Sequence, residues 1–174
     1  MSEIQGGLMR KILIAVCMLS VLIGFSYAQW KPDTKGSGKG IVIYKYEGDA
    51  DEVLQMLKMN LEAQQITIVD TTNPVAPLEA NVKIFPDYDK LNITFVQNFL
   101  VTSISTLYKI FTNDPNALVI SPMVITVYQI EDDDYTYIVR PKTSMLLDGT
   151  KYPQVKKAVE ELEKRIDEAI KSML

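Results

Sequence analysis

Glu131-Asp132-Asp133-Asp134 sets four carboxylates in a row, and clustered acids are where a hard cation would settle, because Ca²⁺ takes roughly six to eight oxygen ligands. A Ca²⁺ loop, however, spaces its ligands at alternating positions around a glycine at the sharp turn. A tight hairpin points neighbouring side chains apart, so the run reads as a solvated turn whose like charges also discourage edge pairing with a second copy. Carboxylates for acid–base work would have to come from Asp70, Glu79, Asp87, Asp89 or Asp148, all in turns or at strand ends. Nothing in their spacing brings two of them to the ~5 to ~9 Å separation that glycoside hydrolysis needs. Ser103, Ser105 and Thr106 have no base in view, and a hydroxyl without one is a poor nucleophile. Capping and packing account for them better.

Absences narrow the chemistry further. The chain has no His and one Cys, Cys17, which excludes Ser-His-Asp and Cys-His catalysis, His-ligated or Cys-based structural zinc and covalent haem attachment. The proton shuttle that ordinarily works near neutral pH is missing as well. Any reaction would rest on carboxylates, Lys, Tyr or Ser/Thr, and neither a cofactor nor a bound metal is expected. The net charge is −4 and no basic block is present, so nucleic acid is not an expected partner, since binding it depends on clustered Lys and Arg. Nine tyrosines, among them Tyr44, Tyr46, Tyr128, Tyr135 and Tyr137, fall mostly on β-rich runs, where aromatics belong; a stacking surface for sugars or peptides is the functional alternative. Asn92-Ile93-Thr94 matches a glycosylation sequon but is expected inside a strand.

The N-terminus reads as an export signal over residues 1–28. Arg10 and Lys11 precede the uncharged run Ile12 to Phe25, and Ser26-Tyr27-Ala28 offers the small residues at −3 and −1 of a cleavage site before Gln29. A retained anchor would want about 20 apolar residues, more than this run supplies. Val16 before Cys17 is a poor lipidation context. Gly6-Gly7-Leu8-Met9 looks like a translated ribosome-binding site, with Met9 as the expected start. Localisation is therefore expected to be periplasmic or secreted, with no membrane span after cleavage, and an oxidising compartment suits a chain that loses its only Cys with the signal. Residues 29–39, rich in Gly, Ser, Pro and Lys, read as a flexible tether. Residues 40–174 have the length of one domain.

Periodicity then orders the elements. Ile41 to Tyr46 is a strand facing inward through Ile41 and Ile43. Asp49 caps a helix, with Glu52 as a capping-box partner, whose stripe is Val53, Leu54, Leu57 and Leu61, broadened by Met56 and Met59. Residues 66–70 make a strand, and the prolines of residues 71–77 make a loop. From Leu91 to Val101 a period of two runs unbroken, predicting a long strand paired with Val82 to Phe85 through residues 86–89. The period changes at Ile104, Leu107, Tyr108 and Phe111 to that of a helix, capped by Thr102 or Ser103 and stopped ahead of Pro115. Met123 to Ile130 and Tyr135 to Val139 form a hairpin, opened by Pro122 at the edge of a strand. Pro153 opens a last helix, 153–173, with an apolar stripe of Val155, Ala158, Val159, Leu162, Ile166, Ala169, Ile170 and Met173. Glu160 with Lys164, Glu161 with Arg165 and Asp167 with Lys171 are candidate i,i+4 pairs on its wet side. The fold expected is α+β: a twisted, mainly antiparallel sheet with two helices on one face and a C-terminal amphipathic helix, lying across the sheet or in a dimer seam.

This order resembles the DUF302 family, small α+β domains of unknown function. The likeness spans roughly residues 40–145. It is carried by the long strand Leu91–Val101, the short helix from Ser103 that ends in Asp114-Pro115, and Ser121-Pro122 ahead of the strand from Met123. The resemblance implies a homodimer and names no substrate. Relatives often carry Cys or Asn-Pro before the helix and Cys or Arg after the second proline, whereas Thr102, Ser103 and Met123 stand there in this chain. Where those positions form a ligand site in relatives, thiol chemistry is missing here. The expectation is an exported, non-enzymatic binding or interaction domain for a small ligand or envelope protein, with Thr102, Ser103, Ser121 and Met123 as ligand-binding residues. A carboxylate-dependent or metal-assisted hydrolase is the alternative.

Overall fold

The computed structural model describes residues 38, 40–85, 87–148 and 152–173; the expected export signal and nearly all of the expected tether lie outside them. Five strands form one antiparallel sheet in the order β1-β5-β4-β3-β2. They are β1 (Ile41–Glu47), β2 (Thr67–Thr72), β3 (Ile93–Thr102), β4 (Met123–Ile130) and β5 (Tyr135–Pro141). Helices α1 (Ala50–Ala63), α2 (Ile104–Asn113) and α3 (Pro153–Lys171) complete the α+β fold, with 3₁₀ turns at Pro115–Ile120 and Thr143–Leu147.

The hairpin stands where alternation put it, β4 against β5 with Val127 opposite Ile138. β3 is long because its alternate residues have neighbours on both sides, β4 from Ile93 to Val101 and β2 from Asn98 to Thr102. Pairing with Val82 to Phe85 does not occur. Those residues lie in turns, in a connection too irregular to sustain a ladder, and β2 takes the place beside β3. Thr71 and Thr72 extend β2, and residues Ala76–Glu79 form one helical turn where a plain loop is expected.

Phase is corrected in β1. Ile41 is 47% exposed while Tyr44 and Tyr46 pack on the core. Register explains it: Tyr44 lies opposite the fully buried Ile138, and side chains of paired residues share a face. The other face of β1 meets tyrosines, with Lys45 Nζ 3.5 Å above the Tyr135 ring. Tyr128 and Tyr137 stack there at 5.0 Å and 12°.

The helix-facing phase of the sheet, through Phe99, Val101, Met123, Ile125, Val127 and Ile138, forms the core with the helices. α1 starts at Asp49, whose carboxylate accepts the Asp51 N–H at 2.8 Å; that is a cap through the first turn rather than the reciprocal box with Glu52. Val53, Leu57 and Leu61 are fully buried, and Met59 is exposed. All eight residues of the stripe predicted for the last helix are buried, and α3 packs against both α1 and α2. It is an internal helix of one chain. The three predicted i,i+4 pairs are not the ones formed: Glu161 reaches Lys109 on α2 at 2.9 Å, and Asp167 and Arg165 turn to other elements. Lys156 with Glu160 and Lys164 with Glu168, each at 3.7 Å, are the i,i+4 pairs that do form, one step out of register with those predicted.

Candidate functional site

α2 begins where β3 ends, so its first turn lies beside the strand that precedes it. Ser103 is the N-cap residue, yet its hydroxyl makes no capping bond to the helix backbone. Instead Ser103 Oγ lies 3.0 Å from Ser105 Oγ and accepts from Arg165 Nη2 at 2.9 Å. Arg165 Nη1 donates to the carbonyl of Gln64 at 3.1 Å. One guanidinium from α3 thus fixes the end of α1 and the start of α2 relative to each other.

Between α1 and α2, above β2 and β3, lies an open groove of ≈1280 Å³. α1 contributes Leu54, Gln55, Lys58 and Glu62 as one wall. The floor is Ile68 and Thr71 of β2 with Gln97 and Phe99 of β3, and the second wall is Ser103, Ile104, Ser105 and Tyr108. Gln65 closes one end. Its backbone is held at φ 57°, the left-handed conformation at which helix ends ordinarily place Gly. Asn92 and Asp132 also have positive φ, but those residue types tolerate it. The conformation belongs to the helix end itself: the Gln65 N–H donates to the Glu62 carbonyl and the Ile66 N–H to the Leu61 carbonyl, both at 2.9 Å, the paired bonds of a Schellman cap.

α2 is turned differently from its predicted phase. Thr106 and Ile110 face the core, while Ile104, Tyr108 and Phe111 are 78%, 69% and 59% exposed. Two of these three residues line the groove. Apolar side chains occupy both sides of this helix, and α3 claims the side with the smaller ones.

Of the residues singled out from sequence, Ser103 lines the groove. Thr102 and Ser121 do meet, Oγ1 to Oγ at 3.1 Å, across the end of β3 and the start of β4, but each serves the other. Met123 is packed in the core. The groove's amides were missed. Their signal is Gln97, a polar residue in the inward phase of Phe95, Phe99 and Val101. Among the described residues, no other group forms a hydrogen bond to the side chain of Gln55, Gln65 or Gln97.

A second cavity, ≈350 Å³, is walled by charged groups of α3 and β5. Arg140, 4% exposed, donates from Nε to Asp167 Oδ1 at 2.7 Å and lies 3.8 Å from Glu163. Glu163, itself buried, accepts from the N–H and hydroxyl of Ser144 at 3.0 and 2.7 Å. Burial, with a hydrogen bond to Asp167, pushes the Tyr44 hydroxyl far above its ordinary pKa. The acids predicted at turns do not converge. Asp148 pairs with Lys156, Asp87 with Lys90, and Glu79 accepts from Tyr88, while the side chain of Asp89 lies outside the described residues. In the acidic turn, Asp133 takes the Tyr137 hydroxyl at 2.7 Å and the Tyr135 N–H at 3.2 Å. No group of three or more His, Cys, Asp or Glu placed to hold a metal occurs among the described residues, and none of their helices is long and apolar enough to cross a membrane.

The chain belongs to the DUF302 family: the profile described as "Domain of unknown function DUF302" matches residues 42–173. The match reaches through α3, further than the likeness legible in the sequence. A crystal structure of an uncharacterised conserved DUF302 protein from Bacillus stearothermophilus is similar, with a TM-score of 0.63 and 16% identity over 77% of this chain and 98% of that one. At that identity the likeness establishes the fold. No curated protein matches the chain.

Proposed function

We propose that the chain is an exported binding domain without catalytic activity, holding a small ligand in the groove between α1 and α2. The observation that carries this reading is the groove's chemistry. Carboxamides that no described residue pairs with, hydroxyls and an apolar floor line it, and among the described residues Glu62 is its one carboxylate, so the pair of acids that hydrolysis needs is missing among them. Thr102 and Ser121 serve the site indirectly by fixing the end of β3 from which Ser103 and α2 start. Residues 1–28 deliver the domain to the periplasm or the medium, and residues 29–39 let it stand off from its surroundings. Two copies associate, as the family resemblance implies; sedimentation of the purified chain checks this.

Thermal-shift screening of the chain against metabolites and envelope extracts tests the binding reading. A raised midpoint with a ligand whose effect is lost in Ser105→Trp, which fills the groove, is the expected result. Silence throughout counts against it. N-terminal sequencing of exported protein should begin at Gln29, and a start elsewhere overturns the assigned signal.

The hydrolase alternative has one observation in its favour: Glu163 and Asp167, one turn apart on α3, both face the second cavity. Both already serve Arg140, and Glu163 also serves Ser144, which suits a structural lock. Turnover of an ester, glycoside or phosphate that vanishes in Glu163→Gln while the fold persists would favour hydrolysis instead.

A further inference from the structure

We infer that the ligand of the α1–α2 groove is a neutral oligosaccharide, bound by the carboxamides of Gln55, Gln65 and Gln97 and stacked on Tyr108. The inference rests on the binding reading above and narrows it to a chemical class.

Charge does not select the ligand. Lys58 and Glu62, four residues apart on α1, are the charged side chains among the described lining residues, one of each sign, so the lining favours neither an anion nor a cation by its count of charges. Hydrogen-bonding capacity does select it. A carboxamide both donates and accepts, as does a hydroxyl, so the lining of amides with Ser105, Thr71 and Tyr108 suits a ligand that does both at many points. A phosphate or carboxylate only accepts, and would leave the amide oxygens desolvated and unpaired, which is costly. Sugar hydroxyls meet both requirements.

Shape and apolar surface agree. Sugar rings present C–H faces between their hydroxyls, and Tyr108, 69% exposed, offers an aromatic face with a polar tip at the groove wall. Ile68 and Phe99 supply apolar floor beneath it. The volume of ≈1280 Å³ exceeds the roughly 300–1,000 Å³ of a site for one small molecule, which suits several linked rings.

An extended peptide is the competing occupant. It would bind by adding a strand to a free sheet edge, taking its affinity from backbone hydrogen bonds. β2 is such an edge, but it is blunted. The Thr71 N–H is taken by Asp70 Oδ1 at 2.8 Å, and the register slips between Ile68 and Asp70. Bulges and inward-turned charges are how edge strands refuse a partner. The recognition groups left in the groove are therefore side chains.

The test is calorimetric titration of the chain with neutral oligosaccharides of increasing length from the cellulose, chitin and starch series. Affinity is expected to rise with length and to fall about fivefold or more, the worth of one neutral hydrogen bond or stacking contact, in Gln97→Ala and in Tyr108→Ala. Gln65→Gly, which keeps the backbone conformation and removes only the side chain, should lose affinity while folding at least as well. Phe111→Ala, on the same exposed stripe but outside the groove, should bind like the parent. Absence of binding across all three series, or binding indifferent to these substitutions, overturns the sugar assignment. Capture of linear peptides or polyanions in the groove overturns it too but leaves the binding reading standing, whereas a groove that takes no ligand of any class ends both.

Discussion

At the scale of single residues, Arg140 is the most committed side chain among those described. It is buried between β5 and α3 with Asp167 and Glu163 on one side and the Pro141 carbonyl, 3.0 Å from Nη1, on the other. Breaking a buried pair leaves the remaining charge without compensation, which costs about 3–5 kcal/mol. Arg140→Met should lower stability by that order in urea unfolding; a loss well under 1 kcal/mol would mean the cluster is open to water. The tyrosines make a second prediction. Burial, with the nearby Asp133 carboxylate, pushes Tyr128 up to about 12, and the same causes, with a hydrogen bond to Asp133, raise Tyr137 further. A hydroxyl whose folded pKa lies above its unfolded value of about 10 stabilises the fold fully below pH ~10 and loses that contribution as pH climbs through the folded value. Stability should therefore hold to about pH 10 and then decline toward pH 12, read by denaturant titration, with phenolate absorbance lagging behind that of free tyrosine.

Individual elements explain what sequence could and could not reveal. The α3 stripe was legible because its apolar residues fall on one face and charged residues on the other, so only one phase buries the right atoms. In β1 both alternations are apolar or aromatic, Ile41 and Ile43 against Tyr44 and Tyr46, and alternation alone cannot choose between them. α2 is the sharper case. Its more hydrophobic stripe, Ile104, Tyr108 and Phe111, is the exposed one, because packing on α3 selects Thr106 and Ile110. This phase makes a paired prediction. Ile110→Ala should cost about 2–5 kcal/mol as a core truncation, whereas Ile104→Ser, at an exposed position, should stay within about 0.5 kcal/mol. Comparable losses in thermal unfolding would restore the phase read from sequence. The groove was half-legible for a related reason. Ser103 was found at the break between strand and helix, but the amides converge from α1, its C-terminal turn and β3, elements whose adjacency depends on pairing across the sheet that local patterns do not encode.

Across the whole molecule, the burden of stability is unevenly placed. α3 and the central strands carry the core, while no described residue from Asn73 to Asn92 is fully buried. Segments with little burial are where proteases enter first, so among the described residues the earliest nick under limited proteolysis should fall between 73 and 92, with the two fragments staying associated through the β2–β3 ladder. Early cleavage within α3 instead would contradict the assignment of α3 to the core. The same connection leaves β2 one residue past Thr71, which lines the groove, and enters β3 at Ile93, four residues ahead of Gln97 on the groove floor. A fluorescent reporter spliced into it near Thr72 would lie beside the groove and outside the helical layer, which makes this bend a place to build an optical read-out of the binding proposed for that groove.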